Sequence, residues 1–402
     1  MRTLTGAATA AITLALTVNS VFAADLSNGA AADLEERVAE LEAMTADKGT
    51  RKTTLVVYGE VSTAVLFQDN TGGPSGNSYK GMGDNPNDPT RFGFTGVGKL
   101  SPGWTAGYRV EIGVDGLGGV GSATVSGHPV TLGGLGSTDR LDGILNVRQA
   151  NWWIESKSVG RVTMGRQDMA DSGVAQVSLA NTNVAALGVL GFGAVNRNDG
   201  VSYKTPEMGG FVVSASYAND TNRAVAIRYV GEGGGFRLAS GVAYSMTASH
   251  AAIASLPFPL PPVYPHVDNY NPDNSISGSA SIMHVKSGLF LNAAFGVNTQ
   301  DVSGGVVSGA KSMSWEARGG LEKNLTGTGN TTFYAEYVKR NSSQALDVTS
   351  WGFNPNASTA YGAGVIQSFD SAALDLFAAF RHAEGSAITA SNSFLAGAKI
   401  RF

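Results

Sequence analysis

Residues 391–402, SNSFLAGAKIRF, alternate with a period of two. From the end inward Phe402, Ile400, Ala398, Ala396 and Phe394 are apolar, with Arg401, Lys399, Gly397 and Leu395 between them. Successive side chains of a strand point to opposite faces, so this pattern gives one greasy face and one face that carries charge. Such a strand suits a boundary between two different media. An aromatic final residue is expected where the last strand pairs with the first, because closing a sheet removes its edges.

The same alternation recurs upstream. In residues 55–68, Leu55, Val57, Gly59, Val61, Val65 and Phe67 share one face, and Tyr58, Glu60, Ser62 and Gln68 the other. In 104–115, Trp104, Ala106, Tyr108, Val110, Ile112 and Val114 oppose Thr105, Arg109, Glu111 and Asp115. Segments 211–217, 289–297, 313–321 and 372–381 behave alike, whereas 144–155 breaks alternation and 275–287 is weakly apolar. A charge on the lipid face at mid-membrane costs about 2–4 kcal/mol, so confinement of charge to one face is informative.

The connections sort by length. Short links fall at 101–103, 156–160, 206–210, 231–235, 286–288, 325–330 and 369–371; the alternate set at 69–90, 116–143, 168–198, 247–274, 300–310, 341–356 and 384–391 is longer, with a short exception at 219–222. A membrane barrel has short turns on one side and long loops on the other. The expected fold is all-β, a transmembrane antiparallel β-barrel of about sixteen strands over residues 53–402, with both termini on the periplasmic side.

Composition agrees. Only 15% of residues are charged, yet no run of apolar residues is long enough for a membrane helix. No cysteine is present, which excludes disulfides and thiolate metal sites. The five histidines, His128, His250, His266, His284 and His382, lack ligand spacing, so no metal or cofactor is expected. A net charge of −4 argues against nucleic-acid binding and leans the expectation toward passage of cations.

The beginning reads as an export signal over residues 1–23: Arg2, an apolar stretch at 7–18, and Val21-Phe22-Ala23 before a cleavage point. Residues 24–52 form a periplasmic segment in which Ala31, Leu34, Val38 and Leu41 recur at coiled-coil spacing; so short a helix needs partner chains.

Several stretches together resemble the alphaproteobacterial outer-membrane porins, the general diffusion porins: LEERVAELEAMTADKGTRK at 34–52, MGRQDM at 164–169, RNDGVSYKTPEMGGF at 197–211, YGAGVIQSFDSAALDLFAAFRH at 361–382, and Phe402. Met208 replaces a commoner phenylalanine in the second of the longer motifs. The resemblance implies a homotrimer of sixteen-stranded barrels, each with its third outer loop folded inward, in the outer membrane of a Gram-negative bacterium. It implies passive diffusion of small hydrophilic solutes, contact with membrane lipids and lipopolysaccharide, and Phe402 as a signal to the assembly machinery. A substrate-specific channel with a saturable site is the alternative.

The expected constriction joins Asp168 and Asp171 of the loop 168–198 to Arg166 and to the strand residues Arg109, Glu111, Arg318, Arg381 and Lys399, with Glu316 among them. Acids facing bases across a lumen set up a transverse field that screens solutes by charge. Arg166 shares parity with Val162 and Met164, so it needs a bulge or a place beyond the membrane to belong. Tyr58, Phe67, Trp104, Trp152, Trp153, Phe211, Tyr217, Tyr337 and Phe402 are expected in interfacial girdles. Gly116, Gly118 and Gly121 spell a nucleotide-binding pattern without the helix it needs. Asp84, Asn85, Asn87 and Asp88 could hold calcium but suit a solvated turn better, and the prolines at 257–265 suit an outer loop. An enzyme on the barrel would need a serine and an acid in register with His284 or His382, and none is evident.

Overall fold

The computed structural model describes residues 53–69, 78–85, 87–114, 145–185, 197–218, 222–246, 274–302, 307–342, 358–385 and 388–402, with short strand pieces at 124–125, 128–129 and 140–141. The export signal, the N-terminal helix, the glycine pattern at 116–121 and the proline cluster lie outside these residues.

Sixteen antiparallel strands close into a barrel. In chain order they are β1 (Val56–Gln68), β2 (in two halves, Tyr79–Asp84 and Arg91–Ser101), β3 (Trp104–Val114), β4 (Leu145–Ser156), β5 (Gly160–Asp168), β6 (Arg197–Lys204), β7 (Phe211–Ala218) and β8 (Arg223–Gly233). The second half comprises β9 (Phe236–Met246), β10 (Asn274–His284), β11 (Leu289–Val302), β12 (Val307–Lys323), β13 (Thr331–Ser342), β14 (Ser358–Phe369), β15 (Leu374–Gly385) and β16 (Ile388–Arg401). Each pairs with its neighbours in sequence. Closure comes from β16 on β1, with Glu60 opposite Arg401 through Gln68 opposite Ser393. Phe402 completes it: its N–H donates to the Gly59 carbonyl and its carbonyl accepts from the Gly59 N–H, both at 3.0 Å.

The apolar rows point outward. On β11, Leu291 is 53% exposed in the isolated chain while its neighbour Asn292 is 5% exposed. Val61, Ile276, Ile282, Phe380 and Ile400 follow Leu291, and Glu60, Ser275, Ser281, Arg381 and Lys399 follow Asn292. So continuous an apolar exterior is untenable in water and natural in lipid. On the short-turn side one of two two-residue links is Gly234-Gly235 between β8 and β9. Both residues are left-handed, at φ 60° and 82°, the conformation a two-residue hairpin requires.

Two irregularities explain the segments that resisted reading. Between β3 and β4 the register slips, Glu111 facing Gln149 but Ile112 facing Val147. The extra residue is Arg148, whose bulge swings a second consecutive side chain inward to meet Glu111 at 2.7 Å. In β10 the weakly apolar look comes from Ser275, Ser277, Ser279 and Ser281, a buried serine row along the inner face.

Candidate functional site: a loop-covered wall and an open wall

The chain leaves β5 at Asp168, and residues 169–185 run along the inner face of the barrel. Strand side chains hold the loop's backbone step by step. Ser216 of β7 accepts from the Ala170 N–H at 3.0 Å, and Arg228 of β8 donates to the Ala170 and Ser172 carbonyls at 2.8 and 2.7 Å. Ser279 of β10 donates to the Val174 carbonyl and accepts from Val177. Ser281 accepts from Leu179 and donates to Asn292. Asn292 of β11 reaches Ser178 at 3.0 Å, Arg318 of β12 reaches Asn183 at 2.7 Å, and the Tyr334 hydroxyl of β13 reaches the Ala185 carbonyl at 3.2 Å.

Apolar packing completes the attachment. Leu179, Ala180, Val184 and Ala185 sit on Met283, Phe290, Ile366, Phe377 and Leu395, an apolar patch on an otherwise polar wall. Two short 3₁₀ turns, Val174–Gln176 and Thr182–Ala185, let so short a segment present alternate side chains and carbonyls to the wall.

The loop therefore buries what it covers. Arg318 is 1% exposed and bonds Glu316 and Glu336, each at 3.0 Å; Arg381 is 2% exposed and meets Glu336 at 2.7 Å. Away from water, such charges are tenable only when paired. Arg318 thus holds the loop through Asn183, and Arg381 and Glu316 complete the buried charge cluster, so these three lie enclosed at the wall where an open lumen face was expected. Lys399 is likewise enclosed, held by Asp88 at 2.5 Å with Asp375 at 4.0 Å.

Asp171 departs from expectation too. Only 3% exposed, it shares a cavity of about 10 Å³ with Ser216, Asn222, Arg223 and Ser245, room for about one water. Neither carboxylate oxygen finds a donor at hydrogen-bond geometry. Burial pushes the carboxyl up to about 6, the Ser245 hydroxyl and the Arg228 charge pulling the other way without prevailing. Asp171 is also the only charged residue in the sequence from 169 to 196, so the loop carries almost no field of its own.

The remaining wall, β2–β6, is uncovered by the described part of the loop, and its arginines are part-exposed while Glu111 is buried. Arg91 meets Glu60 at 2.8 Å, Arg148 meets Glu111 at 2.7 Å, and Arg197 faces Asp168 at 3.7 Å. Asp168, at the outer end of β5, also accepts from Gln149 at 3.1 Å. Among the described residues no carboxylate forms an ion pair with Arg109. Its nearest described partner is the Tyr58 ring, 5.8 Å away, and its buried Nε lacks a hydrogen bond. Arg166 is not on this wall: unshifted registers opposite Ala150 and Asp199 keep it on the outward face with Val162 and Met164. There it donates to the Val147 carbonyl and lies 3.8 Å from Asp199.

Two girdle aromatics turn inward instead. The Tyr58 hydroxyl donates to Glu111 at 3.1 Å, and Trp153 is buried under Arg161, 4.7 Å above its ring. The others, Phe67, Trp104, Trp152, Phe211, Tyr217, Tyr337 and Phe402, are exposed on the outside. The calcium reading also fails: Asp84 accepts from the Thr90 N–H and hydroxyl, and Asp88 is taken by Arg91 and Lys399. The residues that sequence reasoning missed are the loop's fasteners, Ser216, Arg228, Ser279, Ser281, Asn292 and Tyr334. Only the serine period in β10 was a legible signal.

A closed barrel, greasy outside, polar inside and crossed by a fastened loop, is the architecture of an outer-membrane channel. The chain belongs to the Gram-negative porin family, whose profile matches residues 7–399. Comparison with curated proteins gives no match. Among solved structures it is similar to an anion-selective porin from Comamonas acidovorans, with a TM-score of 0.60 at 15% identity, over 87% of this chain and 100% of that one. It is similar to the trimer form of OmpT, an outer membrane protein of Vibrio cholerae, with a TM-score of 0.54 at 13% identity, over 88% and 100%. Salmonella typhi OmpF in complex with daunomycin gives 0.53 at 14% identity, over 87% and 98%. The protein is a Gram-negative outer-membrane porin, a channel for passive diffusion.

Proposed function

We propose that solutes pass along the β2–β6 wall, narrowed by the loop that leaves β5, and that this passage favours small anions. The observation that carries the reading is the asymmetry of the lumen. Arg318 and Arg381 are buried at the loop-covered wall and Asp171 is buried at the start of the loop itself, while Arg91, Arg109, Arg148 and Arg197 remain part-exposed on the open wall. Three of these arginines have a carboxylate within 4 Å, and among the described residues none pairs with Arg109. A fixed positive charge in a narrow, low-dielectric passage raises the local concentration of anions. This reverses the lean toward cations drawn from net charge, because the field at the narrowest point outweighs the sum over the chain. A structurally similar chain is described as anion-selective, which fits the same reading.

The proposed protein acts without catalysis or cofactor. His284 meets Ser287 at 2.8 Å in a short turn and His382 meets Asn392 at 2.8 Å; both contacts suit turn and rim packing rather than nucleophile activation. Residues 1–23 are read as an export signal, and 24–52 as a periplasmic segment whose short helix associates within a homotrimer. Lipid and lipopolysaccharide contact the exposed apolar belt, and Phe402, locked to Gly59, presents the chain end to the assembly machinery.

Planar-bilayer recording tests the reading. Purified protein should insert with conductance steps in threes, and a salt gradient should give a reversal potential of anion-preferring sign. Arg109→Gln should move that potential toward the cation side. A cation preference in the unaltered channel, or no shift in the variant, would overturn it.

A further inference from the structure

Strand β2 is broken, and the break turns inward. Its outer half pairs with Thr63–Gln68 of β1 and its inner half with Val56–Glu60. Only Val61 and Ser62 are left opposite residues 85–90, so six residues stand where two would keep the ladder. A classic bulge adds one residue; this is a larger excursion.

Its neck is closed. The Ser62 carbonyl accepts from the Asn85 N–H at 3.1 Å and the Thr90 hydroxyl at 3.3 Å, and the Ser62 N–H donates to the Thr90 hydroxyl at 3.1 Å. The Asp84 carboxylate takes the Thr90 N–H at 2.9 Å and its hydroxyl at 2.7 Å. Its direction is fixed by three further bonds. Asp88 reaches Lys399 on the inner face of β16 and Arg91 on the open wall. Fully buried Asn85 donates to the Val184 carbonyl at 2.9 Å, at the end of the described part of the β5 loop. Asn87, Asp88 and Pro89, at the tip, stay part-exposed.

We propose that Asn85 and residues 87–90 form a second lip of the constriction, an inward fold that narrows the passage from the β1–β2 side and braces the loop at Val184. The lip is a specificity element. Asp88, with Glu60 and Asp375 beside it, offsets Arg91 and Lys399 at this level of β1, so the passage there is less basic than the wall near Arg109. A solute meets Asn87 and Asp88 on one margin and the arginine row on the other. An outer-mouth turn would not be pinned to Lys399 or to the loop. This inference rests on the proposed passage along β2–β6, which the conductance of the unaltered channel tests separately.

The chain has no cysteine, so Asn87→Cys creates a unique thiol. A charged methanethiosulfonate reagent added to inserted channels should be captured as a mixed disulfide, with methanesulfinate leaving. The expected result is a fall in current in three successive steps, each pore losing about half its conductance because its narrowest section is reduced. The unaltered protein should not respond. Two results would overturn the lip: a mass shift confirming modification with no change in current, or a thiol that reacts only after unfolding. An unaltered protein that inserts but conducts nothing would instead defeat the passage on which the lip depends.

Discussion

Asp171→Asn isolates the energetic consequence of one buried charge. The carboxyl lies at the start of the β5 loop, enclosed and without a hydrogen-bond donor, and its value rises from an ordinary 3.8 to about 6. One unit corresponds to about 1.4 kcal/mol, so keeping the ionised group inside the fold costs about 3 kcal/mol once it is fully ionised. Below about pH 3 the carboxyl is protonated whether the chain is folded or not, and the acid and its amide replacement should be equally stable. Between about pH 4 and 6 the unfolded chain gives up its proton first, so the natural protein loses stability as pH rises. Above about pH 6 the whole deficit persists. Asparagine cannot ionise, and the other titrating groups are common to both proteins and cancel in the difference. Urea unfolding in detergent micelles, followed by tryptophan fluorescence, should therefore show Asp171→Asn more stable by about 3 kcal/mol at pH 8 and level at pH 3. A difference independent of pH, or a variant weaker at pH 8, would refute the argument.

Two other perturbations address the fastening of the loop. Ser279→Ala with Ser281→Ala removes hydroxyls that bond four groups, at about 1 kcal/mol for each hydroxyl; single-channel records should show a noisier and larger open current, with folding intact. Arg318→Met leaves the buried Glu316 without its cation and Glu336 with Arg381 alone, and should destabilise the barrel by about 3–5 kcal/mol in the same urea assay.

Much of this architecture was legible in the sequence. Alternation in 104–115 and 391–402 gave faces and closure, and the sorting of links by length gave the sidedness. The misreadings have a common physical origin. Parity assigns Arg318 and Arg381 to the inner face, but whether water reaches them depends on a loop far away in sequence. The same contact buries Asp171. Residues 79–84 carry two glycines and a lysine and read as part of the loop 69–90, and Pro89 beside Asn87 and Asp88 has the composition of an outer turn. Pairing to Thr63–Gln68 makes them strand. Trp152 and Trp153 are adjacent and must point opposite ways, so a girdle could never hold both. Arg166 obeyed its parity, and the bulge its role required occurs instead at Arg148 on the neighbouring strand.

The arrangement also explains why the loop sequence is nearly free of charge. A loop bearing acids would create its own field across the lumen, and selectivity would then depend on where mobile side chains happened to stand. Here the loop between 169 and 196 contributes one charge, and that one is enclosed. The field instead belongs to arginines mounted on strands of the wall, Arg91 and Arg109 within ladders, Arg148 at a bulge and Arg197 at a strand end. Arg318 links the two functions, since its guanidinium holds Asn183 of the loop while balancing Glu316 and Glu336. Losing it would free the loop and leave surplus negative charge on the wall beneath. Position and selectivity should therefore fail together in Arg318→Met, whereas removing the two β10 hydroxyls should loosen the loop and leave the sign of selectivity unchanged.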